Sequence, residues 1–266
     1  MLRHLSYVEE IDVSYAMRQD LQALIIRKAI HFSFSLLLIL PLTPSFIEAS
    51  SRIGITNPAL LIYSLLTFFA ALVNSIQIRK PNLREEMMRF LRDLRKRSLT
   101  KLESLARSLG TQTLLKIGFE ELDKLFSRAE ENLNTIVSRL ERDYEKQYGY
   151  VCVTFALISI LLAYILFNKH VVYGILALAI VDSISAILTA LIPTPKVYKH
   201  SLPSIAISFV CFYIPIAILS SSPIKSLVVS VIVILVEIAS PEDNLTLPFL
   251  TSLTSYYLAI PIPFNH

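Results

Sequence analysis

Residues 171–192 read VVYGILALAIVDSISAILTALI, with one charge, Asp182, in the whole stretch. As a helix rising 1.5 Å per residue, a run of this length reaches roughly 33 Å, enough to cross a hydrocarbon layer of roughly 30 Å. A helix of a water-soluble domain carries a polar face and interrupts its apolar residues every turn or two; this one does not. Comparable uncharged stretches recur outward from it at 53–78, 147–168 and 201–224. The 266-residue chain is 54% hydrophobic with a mean hydropathy of +0.58, outside the range of soluble domains. Gly is scarce and segments of alternating polar and apolar residues are absent, so helices rather than a barrel must satisfy the backbone in lipid. The expected fold class is all-α: a polytopic membrane protein with about seven transmembrane helices.

The spans are predicted near 29–47, 58–78, 150–167, 171–192, 203–221, 224–240 and 246–262. Orientation follows from the placement of the +4 net charge rather than its size. An N-terminus in the cytosol puts Arg18, Arg27, Lys28, the segment 79–149 and the loop 193–202 on the inner side, with nearly all Lys and Arg. The outer side then receives little beyond Arg52, Lys169 and Lys225. The positive-inside rule selects this arrangement, in the plasma membrane of a prokaryote or the endoplasmic reticulum of a eukaryote. The first twenty residues carry Arg3, Glu9, Glu10, Asp12, Arg18 and Asp20 and no apolar core, so they read as an amphipathic preface and not a signal peptide. Cys152 and Cys211 both sit inside apolar runs and read as small packing residues rather than a disulfide pair.

Three regions follow: 1–81, with the first two spans; 82–148; and 149–266, with five more spans. The middle region has a different character. Met87, Leu91, Leu94, Leu102 and Leu109 keep three-four spacing in its first half, and Leu122, Leu125, Ala129, Leu133, Ile136, Leu140 and Tyr144 keep it in the second. Gly110 and Thr111 break the pattern, which predicts a cytosolic hairpin of two amphipathic helices. Its first arm is basic (Arg89, Arg92, Arg95, Lys96, Arg97, Lys101) and its second acidic (Glu120, Glu121, Asp123, Glu130, Glu131, Glu141). The hairpin is either a solvated spacer or a surface for a protein partner or a second copy. Nucleic acid is not expected as a partner.

Ionisable groups inside spans are costly and ask for a reason. Asp182 lies two to three turns from a span's end, Glu237 in the last turn of an apolar helix, and Asp243 and Asn244 between two spans. Arg27, Lys28 and His31 open the first span, with Arg27 and His31 on one helical face. Each has an ordinary explanation alone: topology anchors for Arg27 and Lys28, a packed histidine, a snorkelling Glu237, an interhelical hydrogen bond for Asp182.

Together they form a pattern. Arg27-Lys28-Ala-Ile-His31, Asp182-Ser-Ile-Ser-Ala186 and Glu237-Ile-Ala-Ser-Pro-Glu-Asp243-Asn244-Leu-Thr-Leu-Pro248 resemble the RK-x-x-H, D-A-x-A and E…DN-[LI]-x-[IVL]-P motifs of CTP-dependent lipid kinases. That family includes dolichol kinase, phytol kinase and the yeast-type diacylglycerol kinase. The resemblance covers about 20–78 and 139–260 and leaves 82–148 as an insertion. The chain departs from the family at Thr189, where a Gly is usual. It departs again at Lys199-His-Ser-Leu-Pro203-Ser204, where a K-[KT]-x-E-G-S stretch is usual; Gly lets backbone amides approach phosphate closely.

The resemblance implies a membrane lipid-alcohol kinase that moves the γ-phosphate of CTP to a polyprenol such as dolichol at the cytosolic face. Diacylglycerol, phytol and geranylgeraniol are alternative acceptors. It implies Asp182, Asp243 and Glu237 as catalytic carboxylates. Asp182 and Asp243 would hold Mg²⁺ or another divalent cation, since Mg²⁺ takes few protein carboxylates beside water and phosphate. Arg27, Lys28, Lys199, His31 and Asn244 would hold the nucleotide phosphates. The altered glycine stretch keeps a second class open, a kinase-derived binding or scaffold protein without catalysis. A transporter would call for inverted repeats, and the sequence has no internal repeat.

Overall fold

The structure, a computed structural model, describes residues 2–79, 83–108, 121, 123–128, 130–132, 149–192 and 194–263, with side chains from residue 20 onward except 83–85, 87, 99 and 102–108. In chain order the elements are α1 (Leu2–Leu37), a 3-10 turn (Leu40–Leu42), α2 (Pro44–Ser51), α3 (Pro58–Arg79), α4 (Leu83–Ser108), α5 (Val151–Phe167) and a second 3-10 turn (Asn168–His170). Then come α6 (Val171–Leu191), β1 (Lys196–Val197), β2 (His200–Ser201), α7 (Leu202–Ser220), α8 (Pro223–Ala239) and α9 (Asp243–Tyr257). The expected break at Gly110 and Thr111 lies outside the described residues.

Among the described residues four stretches are long and apolar enough to cross a membrane: Asp20–Leu42, Pro58–Arg79, Val151–Leu191 and Leu202–Ser220. They mark the chain as an all-α integral membrane protein. Only 11% of the most apolar window of Pro58–Arg79 is buried in protein, and Phe68 and Phe69 stand exposed on it. A water-facing surface of that kind is untenable, whereas lipid accepts it. The first stretch begins nearer the amino end than the sequence reading of 29–47. Helix α1 continues through Arg27 and Lys28, and it is Pro41 and Pro44, in the next two short helices, that close it. The 41 residues of Val151–Leu191 divide where the apolar pattern suggested. Asn168 takes φ 52°, ending α5, and α6 restarts after the turn. Helices α8 and α9, of 17 and 15 residues, reach only roughly 26 and 23 Å.

The chain divides into two compact units, Met1–Leu72 with Tyr150–His266, and Val73–Gly149. In the first, α6 is the central helix and packs on α1, α7 and α9, while α5 packs on α9 and α8 on α7 and α9. Gly174 on α6 allows the closest approach: a Cβ there would meet the Pro248 carbonyl oxygen at 2.2 Å and Ser252 Oγ at 2.4 Å. Small residues serve this role between membrane helices, where lipid is as apolar as the interface and close packing decides association. Tyr63 ties α3 to α1 through the Leu38 carbonyl at 2.6 Å and stacks edge-on against Tyr164 of α5. Cys152 and Cys211 are half-buried and form no disulfide with each other.

In the second unit, Arg92 of α4 pairs with Glu130. Arg95 lies 3.2 Å from both Glu130 and Asp123. The described residues of 121–132 are helical, so the opposite charges of the two sequence halves meet there.

Candidate functional site

Helix α6 carries Asp182 and, three residues on and so on the same face, Ser185. Lys28 of α1 donates to both Asp182 oxygens at 2.7 Å, and His31 Nδ1, one turn further along α1, lies 3.0 Å from Oδ2. Lys28 and Asp182 are 7% and 6% exposed, so this is a pair made away from water. Arg27 is half-buried beside it on α1.

Glu237 comes from the last turn of α8 and is 2% exposed. Ser185 donates to its Oε1 at 2.8 Å. His200 Nε2 lies 3.1 Å from the same oxygen, off the line of a hydrogen bond. Glu237 Oε2 is buried and makes no hydrogen bond. Buried polar atoms are nearly always paired, so a bare carboxylate oxygen at the centre of a polar cluster is the exception to explain.

Asp243 opens α9, ahead of the apolar run that starts at 246, and Asn244 follows it, half-buried. Lys199 reaches both helix ends: it donates to the Ser240 carbonyl at 2.9 Å, where a cation suits the C-terminus of α8, and to Asp243 Oδ1. Burial first, then the negative charge of Glu237, pushes the Asp243 carboxyl up to about 6, against the pull of Lys199.

A two-residue hairpin aims Lys199. Strands β1 and β2 pair Lys196 with Ser201 and Val197 with His200, and Tyr198 turns the corner at φ 60°. A positive φ at a non-glycine residue is uncommon and costs energy, which the surrounding contacts hold in place. Thr189, near the end of α6, joins this turn to it. Thr189 Oγ1 accepts from the Ser201 amide at 3.3 Å and lies 2.8 Å from Ser204 Oγ and 3.3 Å from His200 Nδ1. Ser204 in turn donates to the Ser201 carbonyl at 2.7 Å. Hydroxyl groups of Thr189 and Ser204 thus fix the start of α7.

Asp182, Glu237 and Asp243 each offer a carboxylate oxygen, and the three lie within 4.8 Å of one another. These three carboxylates face the ammonium groups of Lys28 and Lys199. A hard divalent cation fits this donor set: oxygens only, carboxylate-rich, with the buried Glu237 Oε2 facing no donor.

The sequence-derived residues Lys28, His31, Asp182, Lys199, Glu237 and Asp243 therefore meet in one cluster. The reading missed one pairing and three residues. It treated Lys28 and Asp182 as separate functions, though they pair directly. It did not select His200, Ser185 or Ser240. Ser185 had a signal, its three-residue spacing from Asp182; His200 had none, because only the hairpin turns it toward Glu237. No family model matches the chain, and no curated protein or solved structure does either.

Proposed function

We propose that this protein is a CTP-dependent lipid-alcohol kinase of seven spans. Its N-terminus lies in the cytosol, an inserted hairpin occupies 82–148, and a polyprenol such as dolichol is the acceptor at the cytosolic face. The observation that carries the reading is the convergence of three buried or half-buried carboxylates, within 4.8 Å, between two lysines. Phosphoryl transfer needs alignment and charge neutralisation more than covalent help from the protein. Structural ion pairs alone do not call for a third carboxylate with a bare buried oxygen.

Asp182 and Glu237 would hold Mg²⁺ or another divalent cation, which would supply neutralisation of charge on the phosphate oxygens, with Asp243 beside them. Arg27, Lys28 and Lys199 bind those oxygens, Arg27 in two-pronged fashion. Asn244 and His31 orient the phosphates. The lipid hydroxyl oxygen attacks the γ-phosphorus, the bond to the β–γ bridging oxygen breaks, and CDP leaves. Asp243, titrating near 6, takes the hydroxyl proton; a base poised near the working pH is the effective one. The apolar tail stays in the bilayer, which sorts lipid alcohols from soluble ones.

One observation favours the scaffold alternative. Lys28 already occupies both oxygens of Asp182, a closed pair that a non-catalytic descendant would also keep. Labelling Lys199 with an amine reagent separates the two readings. The kinase reading expects CTP with Mg²⁺ to protect Lys199, and Glu237→Gln to abolish that protection. Labelling indifferent to every nucleotide would leave the scaffold.

A further inference from the structure

Helices α8 and α9 leave a groove of about 360 Å³ between them. Its α8 wall is Ile232, Leu235, Val236 and Ala239, at three-four spacing and turned roughly 100° or more from Glu237. Its α9 wall is Thr246 and Leu250. The lining is apolar except at one end, where Ser240 and Thr246 hydrogen-bond to each other. Helix α8 carries no charge from Ser226 to Val236. Ile224, Val228, Val231 and Leu235 stand exposed in one stripe along it, and the stripe runs into the groove at Leu235. A continuous apolar surface of this kind suits acyl chains and not water. The polar end of the groove adjoins the charged cluster: the Ser240 carbonyl accepts from the same Lys199 ammonium that Asp243 holds. Asp243 is also the carboxylate most open to a substrate. Its side chain is 21% exposed, against 9% for Asp182 and 2% for Glu237.

We propose that this groove holds the single apolar chain of a lipid alcohol and delivers its hydroxyl, past Ser240, to Asp243. The identity of the ligand rests on the kinase reading given above. Three observations select the occupant. The exposed stripe of α8 opens the groove to hydrocarbon, so a chain enters sideways from the bilayer. None of the seven lining residues is charged, so the groove itself offers a phospholipid headgroup no ion pair. One pair of helices walls a space near the lower limit of ordinary ligand sites, roughly 300 Å³. One linear chain fits there; the two chains of a diacylglycerol do not fit side by side. Leu235, Ala239 and Leu250 are therefore specificity residues, which favour a linear prenol over a two-chain acceptor.

The test uses the full chain in phosphatidylcholine nanodiscs and a long-chain primary alcohol that carries a diazirine in its chain and a terminal alkyne. After irradiation, adducts are mapped by peptide mass spectrometry. The expected adducts fall on Leu235, Val236, Ala239 and Leu250; excess geranylgeraniol removes them and equal dioleoylglycerol does not. Ala239→Phe fills the groove and lowers labelling on the order of ten-fold, while Val228→Phe, on the same stripe outside the groove, leaves it unchanged. Adducts spread evenly over the exposed apolar residues, Val228 and Phe68 included, overturn the proposal in favour of general lipid contact. Equal competition by dioleoylglycerol overturns it as well. The wild-type map and its competition need no variant, so they decide the matter should Ala239→Phe fold poorly. Phosphotransfer to a prenol, measured on the same discs, separates the two readings. Transfer with adducts outside the groove overturns this inference and leaves the kinase; adducts in the groove without transfer support the inference and count against the kinase.

Discussion

Breaking the Lys28–Asp182 pair should cost stability in a way that restoring neutrality recovers. Asp182→Asn keeps the shape of the side chain but leaves the Lys28 ammonium buried beside a neutral amide, and Lys28→Met strands the carboxylate with His31 alone. Stranding one member of a buried pair costs about 3 kcal/mol or more in soluble proteins. In a membrane the unfolded helices also find polar partners, so about 2–3 kcal/mol is the expected loss for each single change. The double variant removes both charges, and a buried pair replaced by neutral groups is often close to neutral in stability. Its loss should therefore fall short of the summed single losses by about 2 kcal/mol, within the range of direct contacts. The assay is reversible unfolding in mixed micelles with rising dodecyl sulfate, followed by far-ultraviolet circular dichroism. Losses that simply add, within about 0.5 kcal/mol, would show that the two residues do not interact and that this cluster is misassigned. Phosphotransfer should be lost in all three variants, including the double one that recovers its fold, which separates the structural from the chemical role of Asp182.

Other outcomes follow from the same geometry. Gly174→Ala should lower thermal stability by about 1–3 kcal/mol, because the added methyl group meets backbone of α9 rather than a side chain that can turn away; a thermal melt in detergent reads this, and an unchanged melting point would mean that α6 and α9 stand further apart. Glu237→Gln should weaken Mn²⁺ binding, read by electron paramagnetic resonance, at least ten-fold while the helical content holds; unaltered binding would assign the ion elsewhere. The Asp243 carboxyl, raised to about 6 in the folded chain, favours folding while protonated, a contribution present below its ordinary range and lost as pH rises through about 6. The stability of wild type relative to Asp243→Asn should thus increase as pH falls from 7 to 4, and activity should fall over the same interval as the base is protonated; a flat difference would remove Asp243 from the buried cluster.

The helices were legible because apolar run length is a one-dimensional property: 58–78, 150–167 and 171–192 are found within a residue or two of α3, α5 and α6. The start of the first span was not, because a charged pair was read as a boundary. In the structure Lys28 is carried into the bundle by its partner on α6, which only the fold could supply. The site was legible as a set of polar residues that apolar helices should not contain, and six of them do meet. Their pairing was not legible, since Lys28 and Asp182 are 154 residues apart and nothing local links them. His200 was missed for a related reason. A two-residue hairpin, with Tyr198 in an uncommon conformation, has no signature in hydropathy, and it alone turns His200 inward and Lys199 toward Asp243.

Transfer of label from γ-³²P CTP to a lipid alcohol, by purified protein in nanodiscs with Mg²⁺, tests the central claim most directly. Polyprenols, phytol, geranylgeraniol and diacylglycerol would be offered in parallel, with ATP and GTP as competing donors. The account predicts a labelled lipid phosphate from at least one prenol, with CTP as the preferred donor, and no product from Asp182→Asn or Glu237→Gln. No labelled lipid from any donor and acceptor pair, with wild-type protein that is folded and binds Mn²⁺ through Glu237, would contradict it.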